Sequence, residues 1–173
     1  MVDWMFEVIY AFKMSEQTFF LSVQYMDRFI GQSTRTLKIE ELHLIGITCM
    51  FIASKYEDIT PLYLKTMVKK VSHGKIKGEQ IMKLEREIVS TLKFKLASVP
   101  TVLEFLESYL THDIFKDHRD AKLLMDVCKY LAYLQTHHIQ FCDQDGSVIA
   151  AACINAALNL IQTMRNSLVK PLS

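Results

Sequence analysis

The stretch LIGITCMFIASKYEDI, from Leu44 to Ile59, decides the fold of this chain. Its apolar side chains recur every three or four residues, which is the period of one face of an α-helix. Apolar residues also fill the other faces, and no charged residue occurs between Glu41 and Lys55. A helix that is apolar on all sides is typical of the centre of a core. We therefore expect a buried central helix that ends in three charges, Lys55, Glu57 and Asp58.

The composition of the whole chain favours helices. Half of its 173 residues are hydrophobic, whereas only 5 are glycine and 3 are proline, so a turn-rich all-β fold is disfavoured. The chain is long enough to bury one large core or two small ones. Its net charge of +1 provides no overall attraction to nucleic acid or to an anionic membrane.

The cysteines and the N-terminus bear on where the protein works. The four cysteines form no C-x-x-C pair, and Cys49, Cys128 and Cys153 fall on apolar helical faces, as reduced cysteines do. Asp3 and Glu7 interrupt the first apolar run, which argues against a signal peptide. The remaining apolar stretches are expected to be too short or too polar to span a bilayer. We expect a soluble protein of the nucleus or cytoplasm.

The hydrophobic period divides the chain into two groups of helices. It predicts five helices up to about residue 95, the fourth of them short and placed over 61–70, and three helices afterwards. The segment Phe94–Pro100 reads as a linker, and TVLE, residues Thr101 to Glu104, fits a capping box at a helix start. We therefore predict an all-α chain with domains at 1–95 and 96–173.

Several motifs, in a fixed order, resemble the cyclin box, and the A- and B-type mitotic cyclins are the most similar in motif. Only three helices fit after the linker, so the resemblance implies one complete five-helix cyclin box followed by a partial second box, in a truncated or unusually short member. It also implies a regulatory subunit that binds and activates a cyclin-dependent Ser/Thr protein kinase in cell-cycle control. The motifs are VDWMFEV (Val2–Val8), FLSVQYMDRF (Phe20–Phe29), Leu44–Ile59, LEREIVSTLKF (Leu84–Phe94), PTV (Pro100–Val102) and GSVIAA (Gly146–Ala151).

By this resemblance, Lys55 and Glu85 hold the kinase beside its mobile regulatory helix. The residues agree with that assignment, because both lie on helices whose other faces are packed, and a pre-positioned side chain loses little entropy on binding. The alternative is that the two side chains simply form a surface ion pair within the chain. The resemblance adds further members to the kinase-binding surface, namely Tyr56, Glu57, Asp58, Ile59, Val89, Phe94 and Leu96.

The loop Ile59–Tyr63, ITPLY, departs from the Ile-Tyr-Pro-Pro-Glu common in this class, which implies a different choice of kinase. A second departure concerns Asp27, a structural acid in the family. The arginine that holds it would precede Met1, so we expect Arg28, another donor or preceding residues to take that role, because a buried carboxylate without a partner is costly.

The resemblance also implies a docking patch for substrates or inhibitors with a basic-x-leucine motif. Such a patch combines an apolar slot for the leucine with a carboxylate for the arginine. Here His43 replaces the usual glutamine, and Met1 stands where a leucine is usual. The alternative is that the tryptophan only packs the first helix onto the core. The expected patch consists of Met1, Trp4, Glu7, Leu42 and His43.

A module resembling transcription factor IIB, or another cyclin-box adaptor that binds proteins or nucleic acid, is the alternative function. The one basic cluster, at residues 65–77, is short, whereas nucleic-acid binding requires charge spread along a face. We read it as a solvated charge run, or else as a contact for an acidic or phosphorylated substrate. Its members are Lys65, Lys69, Lys70, His73, Lys75 and Lys77.

Three short patterns could suggest a metal site or an enzyme. Glu40-x-x-His43 occurs once, whereas a di-iron bundle needs two copies and two further glutamates. The loop that begins at Asp143 has Ile154 at its twelfth position, where calcium needs a bidentate glutamate. The two histidines at 137 and 138 follow a predicted helix end, where cationic side chains interact favourably with the helix dipole. We therefore expect no metal, no cofactor, no catalytic residue and no enzymatic activity. The incomplete second box is instead expected to expose apolar surface that two further helices would cover.

Overall fold

The computed structural model describes residues 1–111 and 120–169. The chain divides into two compact units, Met1–Val99 and Pro100–Ser173. Every regular element within the described residues is helical, which confirms the all-α prediction. The predicted domain boundary, between residues 95 and 96, lies inside the first of these units.

The first unit contains five helices, in agreement with the sequence. A short 3₁₀ turn, Ile39–Glu41, leads into the third helix. The fourth was expected over 61–70, but it is an α-helix of only three residues that continues as a π-helical turn, Met67–Val71. The helices are α1 (Val2–Ala11), α2 (Glu16–Gln32), α3 (Leu42–Glu57), α4 (Leu64–Thr66) and α5 (Gly78–Thr91).

The central helix predicted from the sequence is α3. Ten consecutive residues, Ile45–Ser54, are buried, because α1, α2, α5 and the π-helical turn all pack around it. The side chains of Phe19, Tyr25 and Phe29 on α2 are fully buried. The polar group of Thr48 is accommodated because its hydroxyl donates to the Leu44 carbonyl at 2.7 Å. A helix buried on all sides thus requires both an apolar sequence and satisfied polar groups.

Side chains cap the helices at the positions that the sequence indicated. The Ser15 hydroxyl accepts a hydrogen bond of 3.0 Å from the backbone N–H of Thr18 and so begins α2. In the second unit, the Thr101 hydroxyl accepts from the N–H of Glu104 at 3.2 Å, and the Glu104 carboxylate accepts from the N–H of Thr101 at 2.6 Å. The capping box is therefore confirmed, and both caps satisfy N–H groups that a helix start leaves unpaired.

Within its described residues, the second unit contains α6 (Val102–Leu110), α7 (Ala121–Gln135), a short 3₁₀ turn (Ile139–Phe141) and α8 (Gly146–Val169). The helix α8 packs against both α6 and α7 on one face. Along the same helix, Val148, Leu160 and Met164 remain exposed, with 57%, 48% and 63% of their surface accessible. The expected apolar surface is therefore present. It includes a groove of about 560 Å³ that is lined by Leu131, Leu134, Phe141, Val148, Ile149 and Ala152, among others.

One expectation about membranes was wrong. The segment Gly146–Ser167 of α8 is long and apolar enough to cross a bilayer when judged by length and composition alone. The core helix of a soluble protein passes the same test, so a single such helix is weak evidence. In this structure α8 packs against α6 and α7, and 28% of the apolar window is buried.

Candidate binding surfaces

The exit of α3 is held in place by two sets of hydrogen bonds. The buried Ser54 hydroxyl accepts from the backbone N–H of Leu62 at 2.7 Å. The Asp58 carboxylate accepts from the N–H of Ser15 at 3.0 Å and from the Thr18 hydroxyl at 2.7 Å. These bonds join the loop after α3 to the start of α2. Asp58 was predicted to contact a partner, and the structure shows that both of its oxygens already accept hydrogen bonds within the unit.

The structure brings Lys55 and Glu85 together. Their side chains form a salt bridge that joins the end of α3 to α5, and the Lys55 ammonium also lies 4.2 Å from the centre of the Phe51 ring. The Lys55 side chain is 40% exposed, whereas the Glu85 side chain is 15% exposed. Phe51 was not singled out from the sequence, although its position one helical turn before Lys55 could have indicated the contact. The pair is thus fixed but open to solvent.

Large apolar side chains are exposed next to this pair in the sequence. Tyr56 is half exposed, Ile59 is fully exposed, and Phe94 exposes 79% of its surface. Tyr63, in the loop that departs from the family pattern, is also exposed and was not predicted as a site residue. Contiguous exposed apolar patches often mark interaction surfaces, whereas single exposed apolar side chains are common. We refer to the exposed faces of Lys55, Tyr56, Glu57, Ile59, Tyr63, Glu85 and Phe94, with the half-buried Val89 and Leu96, as the α3-exit surface.

The backbone at the end of α5 is strained where Phe94 points outward. Lys93 and Phe94 have φ angles of 53° and 58°, in the left-handed region that residues with a side chain rarely adopt. Each such residue costs about 1–2 kcal/mol. The conformation is stabilised because the Phe94 N–H donates to the Val89 carbonyl at 2.9 Å. Strain of this kind often occurs at functional sites.

The predicted docking patch lies where α1 meets α3. The rings of Trp4 and His43 are 4.3 Å apart between centroids, and Trp4 keeps part of its surface exposed. The Met1 side chain lies against Gly46, where a Cβ would approach its sulfur to 3.0 Å and would require the side chain to shift slightly. Glu7 is exposed one turn after Trp4, and Leu42 is half-buried at the start of α3. Trp4 therefore both packs against α3 and offers an accessible face.

The charge state of this patch depends on His43. Partial burial lowers the pKa of the His43 imidazole below its ordinary value of 6.5, and the nearby positive charge of Lys75 lowers it further. The imidazole against Trp4 is therefore neutral near pH 7. Lys75 belongs to the basic cluster at residues 65–77.

The structural acid expected from the sequence is partly exposed. Asp27 is half-buried on α2, so its burial is less complete than expected. One Arg28 nitrogen donates to the Lys95 carbonyl at 2.8 Å, and the Gln24 amide donates to the Val99 carbonyl at 3.2 Å. Helix α2 thus holds the segment that follows α5.

The groups considered for metal binding or catalysis are dispersed. Within residues 1–111 and 120–169, no three His, Cys, Asp or Glu side chains come together as a metal site would need. Burial raises the pKa of Cys128 to about 12, with a smaller contribution from Cys153, and burial also raises the pKa of Cys49. These thiols stay protonated at neutral pH, so they are poor nucleophiles.

Comparison with known families decides the identity of the chain. Residues 1–97 match the family described as the N-terminal domain of cyclins, and residues 100–171 match the C-terminal domain of cyclins. The chain belongs to the cyclin family. This cyclin is 35% identical to the G2/mitotic-specific cyclin-B of Dictyostelium discoideum over 157 residues, which are 91% of the chain and 34% of that relative. It is 32% identical to the G2/mitotic-specific cyclin-A of Hydra viridissima over 168 residues, 95% of the chain and 38% of that relative.

The fold of this cyclin also matches that of a solved cyclin. The X-ray structure of a viral cyclin from herpesvirus saimiri superposes with a TM-score of 0.78, at 18% sequence identity, over 94% of this chain and 69% of that one. The similarity confirms the fold predicted from the sequence. The chain spans only 34–44% of the length of curated relatives such as cyclin-B of Dictyostelium and a cyclin-A3 protein of Arabidopsis thaliana.

Proposed function

We propose that this cyclin is the regulatory subunit of a cyclin-dependent Ser/Thr protein kinase and that it binds the kinase through the α3-exit surface. The observation that carries the proposal is the Lys55–Glu85 pair, fixed at the exit of the central helix and open to solvent. Exposed Tyr56, Ile59 and Phe94 supply apolar contact area beside it in the chain. Aromatic side chains with a charged neighbour are typical of the residues that dominate binding energy.

The physical advantage of this surface is its preorganisation. The Lys55 side chain is 40% exposed and that of Glu85 15%. Exposed ion pairs within one chain stabilise by only about 0–1 kcal/mol, so exchanging the Lys55 partner for a kinase group costs little. The pair is held by packing on α3 and α5, and Ser54 and Asp58 fix the adjoining loop. The surface therefore loses little conformational entropy when the kinase binds.

Activation follows from differential binding. A ligand shifts a two-state protein only by binding one state more tightly than the other. We infer that a rigid α3-exit surface binds the kinase with its mobile regulatory helix in the active position better than in the inactive one. The cyclin would raise phosphorylation by the kinase without supplying a catalytic group of its own.

The docking patch is the second part of the proposal. Trp4, Met1 and Leu42 would receive the leucine of a substrate or inhibitor, and Glu7 would pair with its basic residue. The support is the partly exposed Trp4 ring against His43, with the exposed carboxylate one helical turn away. Substrates held there would stay close to the kinase, which raises their effective concentration.

The test of kinase binding is co-purification with a panel of cyclin-dependent kinases, followed by an assay of kinase activity. Wild type is compared with Lys55→Ala/Glu85→Ala and with the swapped pair Lys55→Glu/Glu85→Lys. The swap keeps an ion pair within the chain but reverses its direction. We expect both variants to lose binding and activation while their helical circular dichroism spectra stay unchanged. If the swap restores what the double alanine variant loses, the pair is structural and the proposal is wrong.

A matched control is the salt bridge between Arg35 and Glu87, because Glu87 lies on α5, the helix that carries Glu85. Arg35 donates to Glu87 at 2.6 Å, and both side chains are partly exposed. Glu87 lies two residues after Glu85, about 200° around the helix, so it faces another direction. Arg35→Ala/Glu87→Ala is expected to leave kinase binding intact. A folded wild-type chain that binds no kinase in the panel would favour a cyclin-box adaptor with another partner.

A further inference from the structure

A threonine followed by a proline lies in the loop between α3 and α4. The chain has three prolines, Pro61, Pro100 and Pro171, and of these only Pro61 follows a serine or threonine, namely Thr60. Thr60 is exposed, and it lies between the fully exposed Ile59 and the half-buried Pro61. The sequence therefore contains a single Ser/Thr-Pro pair, and its hydroxyl-bearing residue is open to solvent.

The loop presents Thr60 between two fixed points. On one side, the Asp58 carboxylate accepts two hydrogen bonds from the start of α2, at 3.0 and 2.7 Å. On the other side, the Leu62 N–H donates to the buried Ser54 hydroxyl at 2.7 Å. The backbone of Asp58 is extended, with φ −87° and ψ 139°, so the chain leaves α3 as an extended segment. An enzyme can therefore reach Thr60 without unwinding α3.

The proline after Thr60 indicates which class of enzyme the site suits. Proline disfavours the helical conformation of the residue before it, and it has no N–H group that would lose a partner in an apolar slot. An enzyme that holds an extended acceptor and places the next residue in such a slot selects a Ser/Thr-Pro pair. Proline-directed Ser/Thr kinases have this specificity.

We propose that Thr60 is the acceptor of a proline-directed Ser/Thr kinase and, on the basis of the proposed function, that its phosphate prevents the partner kinase from binding the α3-exit surface. In the transfer, the Thr60 hydroxyl oxygen forms a bond to the γ-phosphorus of ATP. The bond from that phosphorus to the ADP oxygen breaks, and the hydroxyl proton passes to the catalytic base of the modifying kinase.

The surroundings of Thr60 explain why a phosphate would oppose binding. Thr60 lies in the chain between Ile59 and Tyr63, two exposed members of the α3-exit surface, and Glu57 and Asp58 precede it by three and two residues. Phosphothreonine carries about −1.5 to −2 charge at pH 7, and in an apolar interface or beside carboxylates it disfavours binding through desolvation and like-charge repulsion. Because coupling between two events is reciprocal, a bound partner kinase also disfavours the modification.

A phosphate that found a cation on this surface would also weaken the complex. Among the residues of the α3-exit surface the cation is Lys55, which already forms a salt bridge with Glu85. A phosphate that captured Lys55 would break this pair, and the pair is the contact on which the proposed kinase binding depends. Repulsion and capture therefore predict the same direction of effect.

The first test asks whether Thr60 accepts phosphate. The whole chain is incubated with ATP and a mitogen-activated protein kinase, which is proline-directed and needs no cyclin, and mass spectrometry of proteolytic peptides locates the phosphate. We expect phosphate at position 60 in wild type and in Thr60→Ser, and little or none there in Thr60→Val and Pro61→Ala. Phosphate confined to other positions of wild type, or equal uptake at position 60 in Pro61→Ala, would overturn the inference.

The second test measures how tightly the chain binds the kinase that co-purifies with it, by isothermal titration calorimetry. We expect phosphorylated wild type to bind about tenfold more weakly than unmodified wild type, and phosphatase treatment to restore binding. Thr60→Glu should weaken binding by a smaller factor because it adds a single charge. The matched control is Thr36→Glu, at an exposed position in the loop between α2 and α3, and it should bind like wild type. Unchanged or tighter binding after phosphorylation would overturn the inference.

Two further outcomes separate this inference from the function on which it rests. A preformed complex with a catalytically inactive partner kinase should slow the phosphorylation of Thr60, and an unchanged rate would show that the partner leaves Thr60 uncovered, which refutes the switch alone. An unmodified chain that binds no kinase would refute the proposed function and the switch together. The phosphate assay on the free chain decides the acceptor site in either case.

Discussion

The helices α3 and α8 have similar compositions but different surroundings. Both are long and nearly free of charge: α3 has no charged residue before Lys55, and α8 has none before Arg165. Four elements surround α3 and bury ten consecutive residues, whereas within the described part of the second unit α8 packs against α6 and α7 and exposes Val148, Leu160 and Met164. An apolar composition thus makes a helix suitable for burial, but the number of neighbouring elements decides how much of it is buried.

The fuller burial of α3 matters for the proposed function. Because α3 is surrounded, its two ends are held rigidly, and each end carries one of the proposed binding surfaces: His43 at its start and Lys55 at its exit. The apolar groove of the second unit has no comparable set of fixed charges among its lining residues. A buried central helix therefore serves both as the core of the unit and as the support for its surfaces.

The largest expected effect on stability comes from truncating a buried methionine on α3, and the matched change is an exposed methionine on α8. Met50 on α3 is fully buried, and Met164 on α8 is 63% exposed. We expect Met50→Ala to lower the free energy of unfolding by about 2–5 kcal/mol, because it leaves a cavity. Met164→Ala should change it by less than about 0.5 kcal/mol, as surface substitutions do. Urea denaturation followed by circular dichroism measures both, and equal losses would contradict the comparison.

A smaller effect is expected from the contacts that hold helix ends. Asp58 accepts two hydrogen bonds that fix the exit of α3, whereas Asp120, at the start of α7, forms an exposed salt bridge with Arg165. Asp58→Ala should cost about 1–3 kcal/mol, since it leaves partly buried donors without their acceptor. Asp120→Ala should cost less than about 1 kcal/mol. Thermal unfolding compares the two, and a greater loss for Asp120→Ala would show that the second unit depends more on its helix ends.

The smallest expected effect is the dependence of stability on the protonation of His43. It can be followed by fluorescence in the first unit alone, because Trp4 is the only tryptophan in the chain. The pKa of His43 lies below 6.5, through burial first and Lys75 second. The folded state therefore resists protonation more than the unfolded state, so stability is full above pH 6.5 and declines as the pH falls through the lowered pKa. Trp4 fluorescence should show a transition with a midpoint below pH 6.5.

A charge reversal tests the cause of that shift. Lys75→Glu should move the Trp4 fluorescence midpoint upward, because a negative charge near the imidazole favours its protonated form. Lys83→Glu, the same change elsewhere in the first unit, should leave the midpoint in place. If Lys75→Glu does not move it, burial alone sets the pKa and Lys75 lies too far away to influence the docking patch.

Much of the fold followed from local patterns. The charge-free stretch before Lys55 predicted the central helix, and Ser15 and Thr101 marked helix starts that their hydrogen bonds confirm. These predictions succeeded because they depend on neighbouring residues in the chain. The fourth helix was predicted over 61–70, and the chain is helical there from Leu64 to Val71. What the sequence did not indicate is that only its first three residues are α-helical and that the rest is a π-helical turn, which buries Met67 and Val71.

The candidate surfaces were predictable in part. Motif resemblance singled out Lys55 and Glu85, and the structure shows their ion pair. It did not indicate that Phe51 lies beneath the Lys55 ammonium, nor that Asp58 anchors the loop to α2. The contact of Asp58 with Thr18 joins residues 40 positions apart. Such pairs depend on how helices cross, which one sequence does not reveal.

By itself the sequence determined that this chain is all-α, where its main helices begin and that its motifs are those of a cyclin, because helical period, caps and motifs are local. Only the tertiary structure decided that α3 is surrounded while α8 leaves Val148, Leu160 and Met164 exposed, and that Trp4 lies against His43. Burial and charge proximity join segments that are distant in the chain. Their free energies therefore depend on the packing of the whole unit rather than on any one stretch of sequence.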